Sequence, residues 1–204
     1  MYPETLAPET RRVLEKISQQ PFIEDFYLVG GTALALHFGH RESIDLDFFS
    51  AQDFSLEKMK NEVSAIGQYR LTNEDDGTLD GMLDDVKLTF IRYEYPLLFP
   101  LVDFSGVKLA DERDIACMKI DAVSSRGSKK DFIDLYFLLE KYSLSELFSF
   151  FERKYSHIEY NRLHLLKSLA YFDDADEDVM PKMLKAISWD AVKEKILEET
   201  RKLI

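Results

Sequence analysis

Residues 27–38, Tyr27-Leu28-Val29-Gly30-Gly31-Thr32-Ala33-Leu34-Ala35-Leu36-His37-Phe38, are almost wholly apolar. A helix without a polar face has to be buried, so the rest of the chain must be built around this stretch. Gly30-Gly31 divides it into a short strand and a helix beginning beside Thr32. Just beyond lies Ser43-Ile44-Asp45-Leu46-Asp47-Phe48-Phe49. Alternate side chains of a strand share a face, so Leu46 and Phe48 point into a core while Asp45 and Asp47 project together, roughly 7 Å apart at Cα. Strand, glycine turn, buried helix and strand make an α/β beginning.

Two carboxylates side by side on an apolar strand form a clamp for a divalent cation. Upstream, Gly30 and Gly31 let backbone amides approach an anion, and the helix directs its free N–H groups and positive dipole end toward a phosphate. Each feature has a plainer reading. Gly-Gly is often an ordinary turn, and Asp-x-Asp is often a solvated strand end or a partner of a base such as Arg41. Their order along the chain favours a site.

An amphipathic helix is expected over 5–19, with Leu6, Val13, Leu14 and Ile17 on one face and Pro21 beyond its end. A helix over 56–66 follows the carboxylate strand. From 68 to 92, short extended runs separated by Asp75-Asp76-Gly77 and Asp84-Asp85 read as a β-meander, with 86–92 its strongest strand. Pro96 and Pro100 bracket a connector, and everything after Asp111 reads as helices, near 111–124, 129–142, 144–155, 159–171 and 189–203. The fold class is therefore α/β (α+β), a mixed sheet with flanking helices (residues 1–109) followed by a helical domain (110–204). Residues 172–178, Phe-Asp-Asp-Ala-Asp-Glu-Asp, lack the glycine and spacing of a calcium loop and read as an exposed linker.

In the helical half, Lys119 falls in the middle of the apolar arc of Ile115, Ala116, Met118, Ala122 and Val123. It either snorkels to the rim or serves a site. Asp131 and Asp134 are neighbours on a flank of the next helix, where one can orient Lys119 and the other face solvent or Arg126. Asp131 also lies in a first helical turn, where the dipole alone favours an acid.

The stretch GGTALALHFGHRESIDLDFF resembles the first motif of the nucleotidyltransferase superfamily related to DNA polymerase β. With Val86-Lys87-Leu88-Thr89-Phe90, Tyr95-Pro96-Leu97-Leu98 and residues 119–139, the chain is similar to the AbiEii/AbiGii toxin-type nucleotidyltransferases over about 26–142. The resemblance implies a metal-dependent nucleotidyltransferase, the toxin of a toxin–antitoxin pair. Asp45 and Asp47 would bind Mg²⁺ or Mn²⁺, while Gly30, Gly31 and Thr32 would hold a nucleoside triphosphate. Lys119 would steady the phosphates, joined by Asp131 and Asp134. RNA, such as a tRNA 3′ end, is the implied acceptor and an antitoxin protein the implied partner. One position departs from the pattern: where the superfamily carries a third carboxylate, this chain has Thr89. A hydroxyl is a poor general base near neutral pH, so the acceptor is activated differently, by Asp131 or Asp134, or the chain is a nucleotide-binding or protein-interaction module with little turnover.

With 204 residues and 46% apolar content the chain can build a substantial core, and no apolar run reaches the ~20 residues of a membrane span. The N-terminus lacks the features of a secretory signal, so a cytoplasmic location is expected. A net charge of −12 excludes broad, non-specific nucleic-acid binding. An RNA would need a local patch, for which Arg126, Lys129 and Lys130 are candidates, although a solvated loop explains them equally well. A small hydroxyl or a protein side chain competes as acceptor. Cys117, the lone cysteine, reads as a buried thiol, and the four histidines have no metal-binding spacing. His37 reads as a core residue and His40 as a loop residue.

Overall fold

A computed structural model describes residues 1–203. Helix α1 (Pro8–Ser18) opens the chain with Pro8 at its first turn and buries Val13, Leu14 and Ile17. The apolar stretch then divides as its glycines require, with β1 (Tyr27–Leu28) followed by α2 (Gly30–Phe38). The helix starts earlier than expected, because Gly30 itself takes the first helical position with φ of +69°. Both glycines therefore lie inside the first turn. Gly39, at φ +64°, ends the helix in the left-handed conformation.

Strand β2 (Leu46–Ser50) alternates as expected, with Leu46 and Phe48 fully buried and Asp47 and Phe49 on the other face. Asp45 stands immediately before its first residue. After α3 (Leu56–Ser64), capped by the Ser55 side chain, the meander forms β3 (Tyr69–Asp75), β4 (Thr78–Leu83) and β5 (Val86–Arg92). Asp84 and Asp85 both take positive φ in the two-residue turn between β4 and β5.

One hairpin lies where a plain connector was expected: β6 (Val102–Phe104) and β7 (Val107–Leu109), turning through Ser105 and Gly106 at φ +48° and +84°. Strand β7 matters to the architecture because it pairs parallel with β1. The sheet order is β3-β4-β5-β2-β1-β7-β6, with β2 parallel to β5 and antiparallel to β1. On one face Phe48 and Phe90 stack 5.5 Å apart, joined edge-on by Phe22 and Phe26. The opposite face carries Asp47.

Helices α4 (Glu112–Ser125), α5 (Lys129–Leu139), α6 (Leu144–Lys154), α7 (Arg162–Leu169), α8 (Asp173–Glu177) and α9 (Trp189–Arg201) follow. A single cluster of buried apolar residues runs from Leu6 to Ile196 through both halves of the chain. The acidic run is not a free linker. It forms α8, Asp176 accepts hydrogen bonds from Trp189 Nε1 and Lys193 Nζ, and Asp178 accepts from the Lys129 backbone N–H (2.9 Å). Lys129 is thereby lost from the expected basic patch, since its buried ammonium donates to the carbonyls of Asp176 and Asp178.

Candidate active site

The first intrahelical bond of α2 runs from Ala33 N–H to Val29 C=O, so the amides of Gly30, Gly31 and Thr32 lie ahead of the ladder. All three residues line a cleft of about 390 Å³ that also takes in Asp45, Asp47 and Lys119. A side chain larger than hydrogen would have to displace its neighbours here. A Cβ on Gly30 would meet Asp47 Oδ2 at 2.7 Å, and one on Gly31 would collide with the Arg41 guanidinium. The amide corner of the helix thus has a carboxylate on one side and a guanidinium on the other. Thr32 differs from expectation, since its hydroxyl donates to the Asp45 carbonyl and lies 2.8 Å from Ser43 Oγ. It fastens the segment before β2 to α2, leaving only its amide for an anion.

Asp45 and Asp47 both face this cleft, and among the described residues neither has a Lys, Arg or His within ion-pairing distance. Arg41, the base that might have neutralised them, is turned away toward Asp134. Burial, reinforced by the neighbouring Asp45 charge, raises the pKa of Asp47. Two hard carboxylates held close against their own repulsion suit a cation. Among the described residues no third Asp, Glu, His or Cys joins them into a complete cage. That donor set fits Mg²⁺ or Mn²⁺ taken up with phosphate oxygens, the usual arrangement for a metal bound by one or two carboxylates. It does not fit a metal enclosed by protein alone.

Apart from Glu42, which pairs with Lys182 at 2.6 Å, the other charged side chains of the cleft are basic. Lys87, Arg126, Lys130 and Lys182 line it from β5, the end of α4, α5 and the segment before α9. In a chain of net charge −12 this concentration of cations gives the cleft a local field that attracts anions. A second hollow, of about 280 Å³, opens on the other side of Asp47 and shares Gly30, Lys119 and Arg126 with the first. Its remaining walls include Phe49, Ile91, Tyr93, Met118 and Tyr155.

A family model described as "Nucleotidyl transferase AbiEii toxin, Type IV TA system" matches residues 12–202. The chain belongs to the AbiEii nucleotidyltransferase family. It is 40% identical over 180 residues to an uncharacterized protein of Aquifex aeolicus (strain VF5), covering 85% of this chain and 86% of that one. Among solved structures, its fold resembles JHP933 from Helicobacter pylori (18% identity, TM-score 0.56, 95% of this chain and 88% of the other). It also resembles MenT4, a nucleotidyltransferase toxin from Mycobacterium tuberculosis H37Rv (15% identity, TM-score 0.57, 95% and 84%). At such identities these likenesses establish the fold.

Behind the cleft of this AbiEii-type nucleotidyltransferase lies a buried ionic network. Lys119 Nζ bridges Asp131 Oδ1 (2.9 Å) and Asp134 Oδ2 (2.6 Å). Arg41 grips Asp134 through Nε and Nη2 at 2.7 and 2.8 Å, and His40 Nε2 completes the shell of Asp134 at 2.7 Å. Arg126 and Ser128 hold Asp131. Both carboxylates are fully buried, so of the two expected alternatives for the second acid, solvent or Arg126, it is Arg126 that Asp131 meets, and both acids hold Lys119. Burial alone would raise the pKa of Asp134, but Arg41 and Lys119 hold it well below the carboxylate range, and Lys119, Arg126 and Ser128 do the same for Asp131. Burial opposes the charge of Lys119, and the two carboxylates outweigh it, raising its pKa.

Lys119 is thus neither a snorkelling residue nor a free arm. It reaches the cleft wall with its ammonium anchored on two acids. His40 lies in the loop between α2 and β2, as expected, but is fully buried there beside Phe137, with Nδ1 lacking a partner among the described residues. Arg41, Lys87 and Lys182 were not identified as site residues from the sequence. Lys87 carried a usable signal, as the exposed alternate position two residues from Thr89 on a strand paired with β2. Arg41 and Lys182 carried none, since Arg41 is placed by Asp134 of α5 and Lys182 by Glu42, far away in the sequence. Cys117 is buried and its thiol is pushed up to about 12 by burial, which leaves it without a role as a nucleophile.

Proposed function

We propose that this nucleotidyltransferase binds a nucleoside triphosphate across Asp47, with phosphates in the basic cleft and the nucleoside in the aromatic hollow, and transfers the nucleotide to an RNA hydroxyl. The observation that carries the reading is the meeting of three things in one cleft: the free amides of Gly30, Gly31 and Thr32, the acid pair Asp45 and Asp47, and a ring of basic side chains. The amides and Lys87, Lys130 and Lys182 hold the triphosphate tail. Asp45 and Asp47 would hold a divalent ion, whose charge would offset that of the phosphates and of the leaving pyrophosphate. Lys119, braced by Asp131 and Asp134, places a fixed positive charge beside the reacting phosphate, where no reorganisation is required during reaction. Phe49, Tyr93 and Tyr155 offer flat surfaces to the base.

An RNA acceptor agrees with the cations that line the cleft of an otherwise acidic chain. As members of a toxin family, such chains call for a partner that restrains them, and we assign that role to an antitoxin protein. A cytoplasmic setting follows from nucleotide and RNA substrates. Among the described residues no helix is long and apolar enough to cross a membrane.

Incubation with α-labelled nucleoside triphosphates, Mg²⁺ and total tRNA tests the reading. Labelled RNA that disappears on chelation and in Asp47→Asn supports it. Nucleotide binding by calorimetry without pyrophosphate release would instead identify a binding module, the outcome that Thr89 makes worth testing; labelled protein alone would point to protein modification.

A further inference from the structure

The place of the missing third carboxylate is not chemically empty. Thr89 pairs in register with Asp47 across the parallel β2–β5 ladder, and Asp80 pairs in register with Thr89 across the antiparallel β4–β5 ladder. Partners in register share a sheet face, so Asp47, Thr89 and Asp80 form one row. Thr89 is 5% exposed and donates its hydroxyl hydrogen to Asp80 Oδ1 at 2.7 Å. Asn73, the next residue of the row, lies 3.4 Å from the other oxygen of Asp80. With strands ~4.8 Å apart, Asp80 stands about 10 Å from Asp47 at Cα, too far to share its metal directly. It is within reach only through Thr89.

We propose that Thr89 and Asp80 together form a proton relay that replaces the absent carboxylate, a reading that rests on nucleotide transfer as proposed above. The acceptor hydroxyl donates its hydrogen bond to a lone pair of Thr89 Oγ1, whose own hydrogen is already committed to Asp80. As the acceptor oxygen bonds to the α-phosphorus and the α–β bridging P–O bond breaks, the acceptor proton moves to Thr89. The Thr89 proton moves to Asp80, and the electron pair of the broken bond leaves on pyrophosphate. Asp80, half-buried rather than enclosed, then returns the proton to water. Thr89 is the catalytic residue in this scheme. Asp80 is a positioning residue that acts through it.

The relay is a unit, so its parts should fail together rather than independently. In single-turnover transfer of α-labelled nucleoside triphosphates to total tRNA, Thr89→Val and Asp80→Asn should each slow transfer about 100-fold, within the range of general base catalysis. Nucleotide affinity, measured by calorimetry, should stay within about twofold, since neither residue lines the phosphate cleft. The double variant should be no slower than the slower single one, and Thr89→Ser, which keeps the hydroxyl, should remain active. Moving the acid one strand inward, in Asp80→Thr combined with Thr89→Asp, should restore most of the rate.

Wild-type transfer in Thr89→Val, losses that multiply in the double variant, or an equal fall in nucleotide affinity would each overturn the relay while leaving nucleotide transfer intact. A wild-type protein that binds nucleotide and transfers none to RNA or protein overturns the proposed function, and the relay with it.

Discussion

At the scale of single residues, the site depends on two glycines and one ionic network. Gly30 combines a positive φ with a Cβ position 2.7 Å from Asp47 Oδ2. Gly30→Ala should therefore displace the Asp47 carboxylate and weaken Mg²⁺-dependent nucleotide binding at least about tenfold by calorimetry, with far-ultraviolet circular dichroism unchanged. Asp134 holds both Arg41 and Lys119, so Asp134→Asn leaves two buried cations undercompensated. A loss of about 3–5 kcal/mol is expected in urea unfolding. His40 gives a pH signature. Burial lowers its pKa against the opposing pull of Asp134, so the folded state keeps it neutral while the unfolded chain takes up a proton below about 6.5. Its contribution to stability is present above that pH and is lost as pH falls from about 6.5 toward the folded value. The melting temperature should drop between pH 7.5 and 5, and His40→Asn should reduce that slope.

At the scale of elements, periodicity and turn chemistry made much of the chain legible. The strand–glycine–helix–strand beginning follows from the apolar run at 27–38 and the alternation at 44–49, and the meander follows from Asp75-Asp76-Gly77 and Asp84-Asp85. The β6–β7 hairpin was readable in principle, because Val102, Phe104, Val107 and Leu109 alternate around Ser105-Gly106, but Pro96 and Pro100 drew the reading toward a connector. Nothing local announces the Lys154–Asp114 pair. Lys154 looks like a basic residue closing α6, yet its ammonium is fully buried at 2.8 Å from Asp114 Oδ1 and 2.7 Å from the Pro96 carbonyl. Asp114 in turn accepts from the amides of Leu98 and Phe99, so one acid ties α4, α6 and the connector together. Lys154→Met should destabilise the protein by about 3–5 kcal/mol in chemical unfolding, despite matching the volume, because it strands that acid in the core. The same dependence on distant partners hid Arg41 and Lys182, while Asp45, Asp47, Gly30 and Gly31 were visible because their spacing is set by a single strand and a single turn.

At the scale of the whole molecule, acid outnumbers base, with 38 Asp and Glu against 26 Lys and Arg. Lys87, Arg126, Lys130 and Lys182 nevertheless gather at the cleft. An RNA should therefore bind by its end and touch few phosphates. The logarithm of its affinity should fall with the logarithm of salt concentration with a slope of about −2 to −3, at −0.7 per neutralised phosphate of a single strand. Filter-binding titrations between low and physiological salt would read this, and charge reversal at Lys130 should flatten the slope.

Arg41 meets Asp134 across a sequence separation of 93 residues. A ribosome-bound chain therefore exposes both glycines and both strand acids well before the brace that aims them has been translated. A chain that ends before α5 therefore lacks the acid that holds both Arg41 and Lys119 beside the cleft.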